Sequence, residues 1–275
     1  VVLAYRHEAY VARCIEGITA QQYPAQVRVI LAEDAGGDAT LSIAKGRLPA
    51  NGKHLLYSNA ANLGPAANFA KAVALCTAPL VAFCESDDFW ICPDKLEMQA
   101  RALLAHPQAS LCYTNYVRTT ADGTPDDAPV LGPQPDAFSL QHLLYDHGPS
   151  MNNLLVRRSA LPARWPESFY RVANPDVFVL AAVLLRGYGV YVPVVAGAYR
   201  NHVGGIWSQR PAAEQQAIRL LTRLLVLRAY RPPQWRRHWW ALYGMYKKVL
   251  NNLKRNHPAL YRDYARRTGP WAMLG

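Results

Sequence analysis

An α/β fold built on a mostly parallel, doubly wound sheet is predicted for residues 1–115, and two observations carry the prediction. Short β-rich apolar runs alternate with segments of helical periodicity, a pattern that requires crossover connections. Three of these runs end in polar clusters, residues 5–8, 33–38 and 85–88, and in open parallel sheets ligands sit outside the carboxyl ends of the strands. The three clusters are therefore expected to converge on one crevice.

Each element follows from local sequence. Residues 1–4 form a short apolar strand, and residues 10–22 carry Val11, Ile15 and Ile18 at helical spacing. Residues 27–32 are β-rich and run into a turn-rich segment, 33–40, in which Asp38 or Thr40 is placed to cap the next helix. A third strand spans 54–58. Pro65 then suits the first position of a helix reaching about Cys76. Residues 80–84 read as a buried strand, Pro93 opens a helix to about Ala105, and 110–115 is a fifth strand. Asp, Pro and Gly dominate 119–137, which marks a loop or lid. A second block, 138–207, holds strands near 153–157 and 190–199 and a helix over 175–186. Beyond Pro211 the pattern is helical, broken at Pro232-Pro233 and near Pro258.

Composition narrows the class. The chain has 275 residues, enough for one large or two small domains, and 51% of them are hydrophobic, too many for disorder. No apolar run approaches the roughly 18 to 20 residues needed to cross a bilayer. The sequence starts at Val1 with no signal-peptide pattern, and the missing initiator Met suggests a trimmed chain. Five cysteines with no C-x-x-C spacing argue against structural zinc and a disulfide framework and favour a reducing compartment. The net charge of +11 is unevenly spread: from Arg210 onward there are 14 Lys/Arg and two acids, whereas the preceding residues nearly balance.

The most informative feature is Glu85-Ser86-Asp87-Asp88, set between the apolar run Leu80-Val81-Ala82-Phe83-Cys84 and Phe89-Trp90. Three carboxylates at the end of a buried strand suit a hard cation such as Mg²⁺ or Mn²⁺ and, through it, a phosphate; a solvated turn is the plain alternative.

Further motifs stand in order: Tyr5 with Glu8 and Tyr10, Gln21-Gln22-Tyr23, Glu33-Asp34 with Gly37-Asp38-Ala39-Thr40, Asn62-Leu63-Gly64 with Asn68, the acidic cluster, Pro93-Asp94-Lys95-Leu96-Glu97, then Asp176, Gly187 and Tyr199-Arg200-Asn201-His202-Val203-Gly204-Gly205-Ile206-Trp207-Ser208. Together they resemble the family 2 glycosyltransferases, which have the GT-A fold and use nucleotide-sugar donors; the resemblance covers roughly 1–208. It implies a nucleotide-sugar-binding half at 1–115, an acceptor-binding and catalytic half at 116–209, and a basic, aromatic helical extension at 210–275. Glu85, Asp87 and Asp88 then share the role of the family's D-x-D motif, with Ser86 in the donor site and Asp87 and Asp88 as metal ligands. Glu85 stands where the family has Asp.

The same resemblance implies that Asp34 contacts the nucleotide base and that Tyr5 lines its pocket, with Arg6 where the family usually has Asn. Glu8 and Glu33 belong to the same donor region. Helix capping is the alternative for Asp34. Asn62, Gly64 and Asn68 either orient the nucleotide or cap the helix after the third strand, and Lys71 lies near the same face. Asp176, after Asn174-Pro175, suits a helix N-terminus electrostatically; by resemblance it is the base that takes the acceptor proton, with Asp146 in reserve. His202 has an imidazole able to complete a metal shell, Arg200 can pair with the diphosphate, and Gly204-Gly205 let backbone approach phosphate. A loop histidine without function is the alternative for His202. His142 and His147 have no comparable context.

The expected activity is metal-dependent, inverting transfer from a nucleotide-diphosphate sugar, a UDP-sugar by family habit, with Mn²⁺ or Mg²⁺, to a saccharide or lipid-linked saccharide acceptor. Cell-surface polysaccharide or lipopolysaccharide synthesis is the expected setting, cytoplasmic and peripheral on the inner face of the membrane. The tail, with Arg236, Arg237, Lys247 and Lys248 among Trp235, Trp239 and Trp240, suits an anionic bilayer surface; a helical hairpin packed on the domain and, less favoured, a nucleic-acid surface are the alternatives. A non-catalytic binding protein of the same fold is the competing function. A nucleotidyltransferase would want a Gly-rich basic loop near the first strand, which residues 3–10 lack.

Overall fold

The computed structural model describes residues 1–49, 52–126, 128–146, 148–205, 207 and 209–268; His147, Ile206, Ser208 and residues 269–275 of the extension lie outside that set. The chain forms two compact units, Val1–Trp165 with Ala182–His202, and Pro166–Ala181 with Val203–Gly275.

The first unit contains a four-stranded, wholly parallel sheet in the order β3-β2-β1-β5, formed by β1 (Val2–Ala4), β2 (Ile30–Glu33), β3 (Leu55–Ser58) and β5 (Cys84–Glu85). The crossover helices are α1 (Val11–Thr19), α2 (Thr40–Arg47) and α3 (Pro65–Ala74). Helix α1 forms because Val11, Cys14, Ile15 and Ile18 recur on one face, and all four are buried. Register sets the strand ends side by side, since Leu3 pairs with Glu85, Ala4 with Glu33, and Glu33 with Ser58. The polar residues that follow these strands thus share one edge of the sheet, as the sequence predicts.

A second, mixed sheet runs β4-β8-β7-β9-β6, with β4 (Leu80–Ala82), β6 (Phe89–Trp90), β7 (Ala109–Thr119), β8 (Leu154–Arg157) and β9 (Tyr188–Arg200). Its long parallel pair, β7 and β9, is flanked by antiparallel partners. The apolar run 80–84, which reads as one strand, divides here. Leu80–Ala82 pairs with β8, and after Phe83 the chain shifts so that Cys84–Glu85 pairs with β1. Leu80 to Cys84 is apolar without interruption, so the pattern does not reveal the shift. After β7 the N–H groups of Asp126 and Val130 donate to the carbonyls of Arg118 and Tyr116, and the Asn115 side chain exchanges hydrogen bonds with the backbone of Leu131.

Helix α4 (Lys95–Ala105) opens on a fully buried lysine. Lys95 Nζ donates to Gln99 Oε1 at 2.8 Å and lies 4.2 Å from the centre of the Trp90 ring. Gln99 in turn donates to the carbonyls of Cys112 and Asn153, which ties the helix to both flanking segments. Burial lowers the Lys95 pKa from 10.5 to about 7. Between those values the unfolded chain holds a proton that the folded chain releases, so this group makes stability rise with pH, by about 4 to 5 kcal/mol across the window. Lys95→Met is expected to remove that rise. The Gln99 oxygen it leaves bare costs about 1 to 3 kcal/mol at every pH. Urea unfolding of both proteins from pH 7 to 10 measures the difference, and parallel curves would refute the assignment.

In the second unit α7 (Ala212–Tyr230), α8 (Trp235–Asn256) and α9 (Pro258–Thr268) follow the predicted breaks. Arg231, with φ 44°, ends α7 in the left-handed conformation, and Pro232-Pro233 cannot continue it. The buried hydroxyls of Tyr246 on α8 and Tyr264 on α9 meet at 3.0 Å. The connecting helix α6 (Asp176–Leu184) begins in this unit and ends in the first. Among the described residues no helix is long and apolar enough to cross a membrane.

Candidate functional site

The centre of the site is Asp87, in the turn between β5 and β6. His7 follows β1 and His202 follows β9, so the two imidazoles reach Asp87 from opposite ends of the first unit's sequence. His202 Nε2 stands 3.1 Å from Asp87 Oδ2 and His7 Nε2 stands 3.7 Å from the same oxygen. Tyr10 closes the group, its ring 4.5 Å from that of His202. His7 is oriented by its other nitrogen, since Nδ1 lies 2.7 Å from the hydroxyl of buried Ser86. Burial lowers the His7 pKa, with Asp87 acting in the opposite sense, so the neutral imidazole is favoured. Burial pushes the Asp87 carboxyl up, but the His202 hydrogen bond and the nearby His7 outweigh it and hold the group below its ordinary value.

A frame behind Asp87 brings β9 into place. Asp88 is 1% exposed and accepts from the Arg200 N–H through Oδ1 and from Asn152 Nδ2 through Oδ2. Burial, reinforced by the charges of Asp87 and Glu85, raises its pKa well above the carboxylate range. Asn152 also donates to the Ala198 carbonyl, bridging the turn to β9. The buried side chains of Asn152 and Asn153 lie so close to β9 that a Cβ on Gly197 would stand 2.3 Å from Asn153 Oδ1, so glycine suits that position. The Arg200 guanidinium donates to the carbonyls of Asp87 and Ala121 and lies over the Tyr10 and Phe89 rings.

Other sequence-selected residues build the rim. Glu33 accepts from the N–H groups of Ala35 and Gly36 in the turn after β2 and from the hydroxyl of Ser58 at the end of the neighbouring β3. Asp34 is buried and accepts from Asn59 Nδ2 and from the N–H groups of Leu63 and Gly64. Asn68 links Asn59 to the Ala32 carbonyl, Lys71 donates to Asn59 Oδ1, and Asn62 accepts from the Gly64 N–H. Glu8 is exposed and accepts from the Ala39 N–H; Asp38 accepts from the N–H groups of Glu8 and Thr40. Tyr5 is half-buried beside the Arg6 guanidinium, and Glu85 is exposed at the end of β5.

Of the predicted metal ligands, then, Asp87 and His202 come together, while Asp88 turns away into the frame. Arg200 serves that frame as well. Sequence reasoning misses His7, Asn59 and Asn152. The position of His7 between Tyr5 and Glu8, in a cluster already placed at a strand end, was the available signal; Asn59 and Asn152 gave none. Asp176 opens α6 in the second unit, half-buried, behind Asn174, whose side chain accepts from the Thr222 hydroxyl. Burial raises the Asp176 pKa, against hydrogen bonds from the helix's first N–H groups and the charge of Arg219. Asp146 ends the short α5 helix (Leu140–Tyr145).

The donor atoms of His7, Asp87 and His202 lie within 4.8 Å of one another. Two imidazole nitrogens and a carboxylate oxygen are a ligand set that a first-row divalent ion accepts, so the residues fit a metal of that kind.

Uncharacterized proteins of Mycobacterium tuberculosis and Mycobacterium bovis are 29% identical over 211 residues, or 75% of this chain. The chain spans 59% of their length. The structure of S. aureus TarS 1-349 in complex with UDP-GlcNAc superposes with a TM-score of 0.67 at 15% identity, over 98% of this chain and 81% of that one. The mannosyltransferase PcManGT of Pyrobaculum calidifontis, in complex with GDP-Man and Mn²⁺, gives 0.59 at 15% identity, over 100% and 74%. These likenesses show the fold, GT-A. The profile of Glycosyl transferase family 2 matches residues 1–151, more than half of the sequence, and the chain belongs to that family.

Proposed function

We propose that this chain transfers a glycosyl group from a nucleotide-diphosphate sugar to an acceptor hydroxyl with inversion at the anomeric carbon. The observation that carries the proposal is Asp87 between His7 and His202 at the carboxyl edge of a parallel sheet. A divalent cation bound there would neutralise the departing diphosphate. With two imidazoles in the set, Mn²⁺ is the better candidate than Mg²⁺, which prefers oxygen ligands and retained water.

The chain's own residues supply the rest. Asp34 holds the 62–64 loop and Glu33 the turn after β2, which shapes the rim for the base and ribose beside Tyr5. Asp88 and Arg200 set β9 so that His202 meets Asp87. Asp176 accepts the proton of the acceptor hydroxyl as it attacks, and a single displacement of this kind inverts. A UDP-sugar is the proposed donor, as in the TarS complex, and a saccharide or lipid-linked saccharide at the cytoplasmic membrane surface is the proposed acceptor in cell-surface polysaccharide synthesis.

Thermal unfolding with UDP and GDP, each with Mn²⁺, Mg²⁺ or chelator, tests the donor site. A ligand that binds only the folded state at about 100 times its Kd adds about 2.7 kcal/mol, which is several degrees in Tm for a chain of this size. The largest rise is expected with UDP and Mn²⁺ together, and no rise with any nucleotide would refute the proposal.

A further inference from the structure

Helix α8 presents an unusual outer face. Its inward side carries buried Leu242, Tyr246 and Leu253, at spacings of four and seven residues. The opposite side carries every cation of the helix, Arg236, Arg237, Lys247, Lys248, Lys254 and Arg255, all exposed, and the helix contains no acid. Trp240 lies in the middle of that side and is 69% exposed. Met245, at its margin, is 45% exposed. Ala241 and Gly244 between them are small, and Tyr243 is half-buried. At about 1.5 Å per residue the 22-residue helix offers a basic strip roughly 33 Å long.

We propose that this face of α8 docks flat on an anionic lipid bilayer, with Trp240 inserted at the headgroup boundary and the surrounding Lys and Arg on lipid phosphates. This refines the membrane setting proposed above. Charge complementarity names the occupant: six cations with no acid need a dense anionic surface. Topography separates a bilayer from a nucleic acid. Single-stranded nucleic acid is held by a groove lined with several stacking aromatics, whereas this convex helix exposes one indole, turned edge-on to Tyr243 with 76° between the ring planes. The apolar face of α8 is used inside the protein, so the attraction rests on the cations near anionic headgroups, with one exposed indole to seat at the membrane–water boundary.

The test uses the full chain in co-sedimentation with vesicles of phosphatidylcholine alone and of phosphatidylcholine with about 30 mol% phosphatidylglycerol. Binding is expected to the anionic vesicles only and to weaken with salt. Each Lys at the surface contributes about fivefold, so Lys247→Gln with Lys248→Gln is expected to lower affinity about 30-fold. Trp240→Ser is expected to remove the blue shift of tryptophan emission on binding. Both variants change exposed residues outside the donor site, so the nucleotide-induced rise in Tm should persist in them. Loss of that rise in wild type would strike the transferase reading alone. Equal binding to both vesicle types, or wild-type affinity in both variants, overturns the docking face. Displacement from vesicles by an equimolar single-stranded RNA overturns it in favour of nucleic acid.

Discussion

Asp87→Asn is expected to lower sugar transfer by on the order of 10³-fold while leaving the protein folded, because it removes the only charged donor from the His7, Asp87 and His202 set. The substitution keeps the shape of the side chain, and Asp87 is 21% exposed, so packing changes little. The distinguishing readout is the metal: the Mn²⁺-dependent part of the nucleotide-induced rise in Tm should vanish, and any metal-independent part should remain. Asp88→Asn makes the contrast. That carboxyl holds Asn152 and the Arg200 N–H rather than the metal group, so its replacement should lower Tm and lower activity through a displaced His202. A variant of Asp87 with full activity, or with Mn²⁺ dependence intact, would remove the metal assignment.

The contrast between neighbouring aspartates also shows where sequence reasoning stops. That acids follow a buried strand is legible, as are the alternating elements, the breaks at Pro232-Pro233 and Pro258, and the convergence of strand ends on one edge. Which acid faces the site is not. Adjacent residues after a two-residue strand point to different sides, and the side is fixed by Asn152 and β9, more than 60 positions away. The surroundings of Arg200 are hidden for the same reason. An arginine near phosphate-binding glycines suggests an anion partner, yet its hydrogen bonds go to the backbone carbonyls of Asp87 and Ala121, with its guanidinium over aromatic rings. Asp34 is intermediate. Its position at the end of β2 is predictable, but its use as an anchor for Leu63 and Gly64 depends on the loop conformation.

Asp176→Asn is the second large effect, expected at about 10² to 10⁴-fold in kcat, the usual range for a lost general base. The amide keeps the helix start but cannot take the acceptor proton, so donor binding should survive. Burial raises the folded-state pKa of this group above 3.8. The acid limb of the wild-type pH–rate profile should therefore fall above the ordinary carboxylate value, and it should be absent from the residual activity of the variant. Stability gives an independent sign. As pH rises through 3.8 the unfolded chain releases this proton first, so the group's contribution to stability falls until the raised pKa is passed and then stays low. At neutral pH the folded protein carries that cost in full, partly offset by the helix's first N–H groups and Arg219. Asp176→Asn removes the cost, so the variant should be at least as stable as wild type at pH 7 while nearly inactive. A carboxylate kept only for the helix N-terminus predicts the reverse, a loss of about 0.3 to 1 kcal/mol with activity retained. Measuring Tm and kcat on the same preparation separates the two roles, since the base role collapses kcat with Tm held or raised, whereas the helix role lowers Tm and leaves kcat unchanged.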